Sequence, residues 1–450
     1  MTPSAVVVGA GLAGCEAAFQ LARHGIRVEL RERKPGSRTP AHHDDRFAEL
    51  VCSNSLKADR IENAHGLLKQ EMRVLGSLIL AAADRTRVPA GGALAVDRDA
   101  FAEAVTSAVR THPLIEVREA FVEAIPDGPC VVATGPLTDG PLAEDIARFL
   151  GTESLHFYDA AAPIVAADSI DFTVAFRASR YGKGGDDYVN CPMDEDEYRA
   201  FHAALVSAET AEVRGFEDQL VFEGCMPVET MARRGLDAIR FGPLKPVGLT
   251  DPRTGRTPYA VVQLRQDDAA GGLYNVVGFQ TRLKWKEQER VLRRVPGLAR
   301  AEIQRFGVMH RNTYLPSPGR LGPDYAATGP LLAEPRPTLH FAGQLTGVEG
   351  YVESASSGLV AGIALARRFR GEPPLDFPPT TAIGALAAYV SDPRVRGFSP
   401  MNANFGLIRA PEGRFRKKED RNRAAAEASL AAIGALARFL PPIAPSGVAL

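Results

Sequence analysis

The first 32 residues leave this chain few choices of fold. Ala5-Val6-Val7-Val8 is a short apolar strand that runs straight into Gly9-Ala10-Gly11-Leu12-Ala13-Gly14. A helical pattern follows from Cys15 to His24 and stops at Gly25; Ile26 to Leu30 reads as a second strand, with Glu32 at its end. Strand, glycine turn, helix, strand and acid is the order of a dinucleotide-binding βαβ unit. Gly9 permits the tight turn, Gly11 lets backbone approach a pyrophosphate, and Gly14 lets helix pack on strand. The bare helix N-terminus then receives the negative charge. Glu32 lies about 20 residues beyond the glycines, where a carboxylate can accept hydrogen bonds from ribose hydroxyls. Gly9, Ala10, Gly11, Leu12, Ala13, Gly14 and Glu32 are therefore the candidate cofactor contacts, and FAD is the expected dinucleotide.

At 450 residues the chain exceeds what one hydrophobic core usually serves, so two joined domains are expected. A formal net charge of -1 means that a polyanionic partner would have to be held by a local basic patch. The apolar run Ala5 to Ala22 contains Glu16 and Gln20 and lacks a basic leader, and Ala428 to Ala444 is broken by Arg438, Pro441 and Pro442. Neither a signal peptide nor a membrane span is expected. The five cysteines, at 15, 52, 130, 191 and 225, include no close pair. That spacing argues against a metal site and against a dithiol reductase, and suits a reducing cytoplasm.

Asn63 can cap a strong helix in which Leu67, Met72, Leu75, Ile79 and Ala82 recur at helical spacing. Cys130-Val131-Val132-Ala133-Thr134-Gly135 is another buried strand ending in a glycine turn, and from about residue 156 the texture becomes aromatic and charged. Thr338 to Gln344 is a late strand running into Gly343, Gly347 and Gly350, followed by a helix from Ser354 to Arg367. Gly343 and Gly350 join the candidate cofactor contacts. The expected architecture is α/β, a Rossmann-like FAD-binding domain with an inserted α+β domain. Its parts are 1–155 (FAD-binding, first part), 156–304 (insertion), and 305–450 (FAD-binding, second part, with C-terminal helices).

Longer strings carry a resemblance. Thr39-Pro40-Ala41-His42, Glu49-Leu50-Val51-Cys52-Ser53-Asn54-Ser55-Leu56 and Val88 to Leu94 are followed by Phe222 to Glu229, Gly278-Phe279-Gln280-Thr281, Met309 to Tyr314 and Met401 to Gly406. Together with the opening glycines, these resemble the folate- and FAD-dependent tRNA (uracil-5-)-methyltransferase family over nearly the whole length. The flavin-linked enzyme that modifies wobble uridine in tRNA looks similar around the two glycine-rich ends but is longer.

The resemblance implies methylation of carbon-5 of uridine 54 in the T-loop, with 5,10-methylenetetrahydrofolate as one-carbon donor. Reduced FAD carries the methylene and supplies the hydride equivalent, and NADH or NADPH reduces the flavin. Carbon-5 of uracil is a poor nucleophile until a thiolate adds at carbon-6, so the chemistry needs a cysteine and a base. The resemblance supplies Cys225 and Cys52. Cys225 is assigned as nucleophile, and Cys52, lying just before a run able to cap a helix, as the acid/base, although the residues alone allow the reverse. It also points to His310 as the partner stacked on the folate pterin.

Phosphate contacts are expected from Arg282, Lys284 and Lys286, continuing to Arg290, Arg293 and Arg294, or from Arg414, Arg416, Lys417 and Lys418, continuing to Arg421 and Arg423. Acids such as Glu287, Glu419 and Asp420 dilute both runs. The partners are then tRNA and folate, with no membrane and no obligate protein partner. The competing readings are a flavin oxidoreductase acting on a small molecule and a tRNA-binding protein with purely structural FAD; the first would show no nucleic-acid role and the second no folate-dependent turnover.

Overall fold

The computed structural model describes residues 3–153, 155–182, 185–211, 226–409, 413 and 415–442, with backbone only for 157–159, 310 and 311. Cys225 and Arg414 lie outside the described residues. The opening unit is strand β1 (Ser4–Val8), helix α1 (Leu12–Arg23) and strand β2 (Arg27–Glu32). β1 pairs parallel to β2 on one side and to Cys130–Val132 on the other. The six-stranded sheet runs Ala326–Ala327, Arg336–Phe341, Cys130–Val132, β1, β2, Ile115–Glu119 and is parallel except at the first pair. The late strand thus returns beside the first glycine turn, which fits a doubly wound sheet whose ligand crevice lies at the carboxyl ends of its strands.

α1 is buried from Leu12 through Ala22, because the sheet covers one side and the late helix Tyr351–Phe369 the other. That close crossing needs residues without side chains. A Cβ at Gly358 would sit 2.1 Å from the Ala13 carbonyl oxygen, and one at Gly362 would sit 2.7 Å from that of Ala17.

The segment expected as one helix after Asn63 is two, Ala64–Leu75 and Leu78–Arg85. Asn63 does cap the first, accepting from the His65 N–H at 3.1 Å. Gly76, at φ 78°, then leaves the helical region, and Ser77 caps the second. Periodicity survives the break because Glu16 of α1 bridges it from below, accepting from the Ser77 hydroxyl at 2.6 Å and the Ile79 N–H at 3.0 Å. Glu71 does the same farther on: its buried carboxylate takes the Ala382 and Ile383 N–H groups at 2.7 and 2.9 Å and the Ser429 hydroxyl at 2.5 Å. Each carboxylate supplies the acceptors that a helix N-terminus lacks.

A second, wholly antiparallel sheet of six strands lies between Ile164 and Arg305, in the order Phe176–Arg177, Tyr188–Met193, Ala260–Gln266, Leu273–Val276, Ile164–Ala166, Ile303–Arg305. It has its own core, in which Tyr198, Phe201, Val262, Leu264 and Tyr274 pack together. The chain leaves and re-enters the first sheet's side of the molecule through one antiparallel pair, Leu155–Ala160 with Met309–Tyr314. Among the described residues no helix is long and apolar enough to cross a membrane.

Candidate functional site

The glycine turn, the loop around Cys52 and the start of the late helix line one cavity of about 480 Å³. Gly9, Ala10, Gly11, Leu12, Ala13, Glu32, Cys52, Gly343 and Gly350 are all in its wall. Gly14 is not, and its role is packing: a Cβ there would fall 1.8 Å from the Gly9 carbonyl oxygen. Gly9 takes φ 95°, which favours glycine. Gly11 differs from both. A Cβ on it would meet no heavy atom of the protein within 4 Å, so the protein's own packing does not require a bare position there and the space above it is open to a ligand. It is also the cap residue of α1, with no capping side chain and no acid in the first turn, so the orphan N–H groups of that turn face the cavity. Glu32 closes on this turn, accepting from the Ala10 N–H at 2.6 Å and the Lys34 N–H at 3.0 Å. A carboxylate has further lone pairs for a ribose. These residues fit a dinucleotide with its diphosphate at the end of α1.

Cys52 sits opposite. It was expected ahead of a helix, but bends at Val51, Cys52 and Asn54 lead into the strand Ser55–Ala58, so the segment that follows it is extended rather than helical. A polar clamp between the two sheets fixes it instead. Tyr351, the first residue of the late helix, accepts with its hydroxyl from the Cys52 and Ser53 N–H groups at 2.6 and 3.2 Å. Arg265 of the second sheet donates to Ser53 Oγ at 2.6 Å and Asn54 Oδ1 at 2.9 Å, and Asn54 returns a bond to the Gln266 carbonyl at 2.9 Å. Arg98 donates to the Leu50 carbonyl and to Asp267 at 2.8 Å. Burial opposes the Arg98 charge, yet Asp267, with Tyr351 and Cys52, holds its guanidinium above the ordinary range. Arg98 and Arg265 both lie close enough to interact with Cys52 electrostatically.

None of the four described cysteines is in a disulfide. Burial pushes the Cys130 thiol up to about 11, that of Cys191 up to about 12, and that of Cys15 beyond the ordinary range, so these three behave as small apolar residues. The backbone of His310 pairs with Asp159, two residues before Asn312, which lines the cavity; its side chain is outside the described set. In the first basic run Lys284 pairs with Glu209 at 2.7 Å and Arg290 with Glu287 at 2.6 Å, while Lys286 is exposed. In the second, Arg416, Lys417 and Lys418 are exposed at the start of the helix Lys418–Ala437, and Arg423 pairs with Glu62 at 3.1 Å.

Tyr351, Arg98, Arg265 and Glu353 were not singled out in the sequence. Only Tyr351 carried a local signal, its place directly after Gly350 at a helix start. Burial penalises the Glu353 charge, but Lys57 and a 3.0 Å contact from His65 hold the carboxyl down to about 2. A carboxylate depressed from 4.5 in the ordinary state contributes stability above that pH and loses it as pH falls toward 2. Chemical denaturation between pH 5 and about 3 is therefore expected to show a steeper loss in the wild type than in Glu353→Gln. Equal slopes would remove this role.

Residues 4–373 match the family model described as glucose inhibited division protein A. The methylenetetrahydrofolate–tRNA-(uracil-5-)-methyltransferase TrmFO of Acetivibrio thermocellus is 58% identical over 417 residues, 92% of this chain and 94% of that protein. The TrmFO of Listeria innocua is 54% identical over 440 residues, 98% of this chain and all of that one. The crystal structure of Aquifex aeolicus GidA superposes with a TM-score of 0.68 at 16% identity, covering 99% of this chain and 74% of that one, and so shares the fold. This chain belongs to the glucose inhibited division protein A family and, by its full-length identity, to the methylenetetrahydrofolate–tRNA-(uracil-5-)-methyltransferases.

Proposed function

We propose that this chain methylates carbon-5 of uridine 54 in the T-loop of tRNA, in the cytoplasm, using 5,10-methylenetetrahydrofolate, FAD, and NADH or NADPH. The observation that carries the reading is the position of Cys52, in the wall of the cavity that also holds the glycine turn and beside Arg98 and Arg265. FAD, when bound, supplies the electrons that take the one-carbon unit to the methyl level. Gly9 to Ala13, Glu32, Gly343 and Gly350 hold it. The Cys225 thiolate adds to uracil carbon-6, which makes carbon-5 an enolate-like nucleophile toward the one-carbon unit. Cys52 then takes the carbon-5 proton as the bond between the transferred carbon and its carrier breaks, leaving an exocyclic methylene on carbon-5. A hydride equivalent reduces that methylene to methyl, and the Cys225 sulfur leaves as thiolate while the 5,6 double bond re-forms. His310 stacks on the pterin, and the basic runs meet phosphates. Purified holoenzyme, unmodified tRNA, methylenetetrahydrofolate and NADPH should yield 5-methyluridine in digested nucleosides, and leaving out the tRNA or the folate should abolish it. Product that instead depends on S-adenosylmethionine defeats the donor assignment.

A further inference from the structure

Trp285 is the sole tryptophan of the chain, and it is 62% exposed. Its indole lies on the Phe306 ring, centroids 5.1 Å apart and planes 14° from parallel. Stacking covers one indole face and leaves the other available. A tryptophan in that state keeps a large apolar surface in water, a cost that a ligand with a flat π-face would remove. The pair is also held rigid from beneath. The buried Gln288 amide, one turn along the helix Trp285–Leu292, donates to the Gly307 carbonyl at 2.8 Å and accepts from the Gly307 N–H at 2.8 Å, fixing the segment that carries Phe306 against the helix that carries Trp285.

Two features say what the platform receives. Val308, two residues beyond Phe306, accepts the Ala161 N–H at 2.7 Å, and Ala161 lines the cavity, so one hydrogen bond and two residues of chain link the Phe306 ring to the cavity wall. Lys284 and Lys286 flank Trp285 in the chain; Lys286 is exposed, and the exposed Lys284–Glu209 pair can exchange its carboxylate for a phosphate. Glu287 and Glu289 oppose this field but are engaged by Arg290 and Arg293. A flat exposed ring beside cations is how unpaired nucleotides are held, with stacking on the base and charge on the backbone.

We propose that Trp285, backed by Phe306, is the stacking platform for an unpaired base of the tRNA neighbouring the reacting uracil. This rests on the tRNA reading above and adds a subsite to it. In the holoenzyme, titrating unmodified tRNA should quench the emission of this single tryptophan by about half, in step with binding measured by the anisotropy of end-labelled tRNA. Trp285→Ala should weaken tRNA binding about 5- to 100-fold, and Trp285→Phe, which keeps a ring, should recover most of it. Both variants should keep normal flavin content, because the indole stands outside the core. Unchanged emission together with wild-type affinity in Trp285→Ala overturns the platform and leaves the methylation reading intact. Failure of the wild type to bind tRNA at all overturns the reading on which the platform rests.

Discussion

Cys52→Ala is expected to slow 5-methyluridine formation by about 10²- to 10⁴-fold, the range for removing a positioned acid/base, with tRNA affinity and flavin content within about twofold of wild type. The structural side of that statement follows from how Cys52 is held. Its backbone N–H, not its sulfur, makes the bond to Tyr351, and Ser53 and Asn54 make those to Arg265. The sulfur has a 3.6 Å contact with the Ala160 carbonyl, so trimming it leaves the inter-sheet clamp standing. RNA containing 5-fluorouracil separates the two thiols. Fluorine at carbon-5 cannot leave as a proton, so the adduct needs the sulfur that adds at carbon-6 and does not need the base. Cys52→Ala should still trap such RNA covalently and Cys225→Ala should not. The opposite pattern exchanges the two roles, and trapping by both variants removes the assignment of a single required nucleophile to either thiol.

What the sequence could and could not show follows from the range of the forces involved. The βαβ unit was legible because each part is local: apolar runs set β1 and β2, glycines set the turn, and Glu32 ends its strand. The late strand and helix were legible for the same reason, and the helix begins at Tyr351, three residues earlier than periodicity suggested, because Gly350 at φ 118° makes the turn. The break at Gly76-Ser77 was missed because helical spacing continues across it, supported by Glu16 some sixty residues earlier in the chain. The setting of Cys52 was the hardest to foresee. Its cations come from Arg98 and Arg265, one on each side of the chain crossing, and no pattern near Cys52 announces either.

The glycines of the opening turn are expected to divide under mutation, and the division tests whether a dinucleotide lies on the end of α1. Gly11→Val places its Cβ where the protein offers nothing within 4 Å and adds two further carbons beyond it, at φ -76°, an ordinary value for a branched residue. The apo fold should therefore lose no more than about 1 kcal/mol, the scale of exchanging residues at a cap position. The same carbons occupy the space through which a pyrophosphate would reach the orphan N–H groups, so the variant should purify colourless and recover flavin at least 100-fold more weakly than wild type, counting about 3 kcal/mol for the lost approach to charged oxygens. Gly14→Ala adds one carbon, but 1.8 Å from the Gly9 carbonyl oxygen and 3.5 Å from the Ala133 side chain. Helix α1 would have to lift off β1, at a cost of about 3 kcal/mol or more, which the better helix propensity of alanine, about 1 kcal/mol, cannot offset. That variant should lose flavin and thermal stability together. Visible absorbance, flavin titration and melting of the stripped proteins distinguish the two outcomes. A Gly11→Val protein that stays as yellow as the wild type would show that the open space above α1 is not where the diphosphate lies.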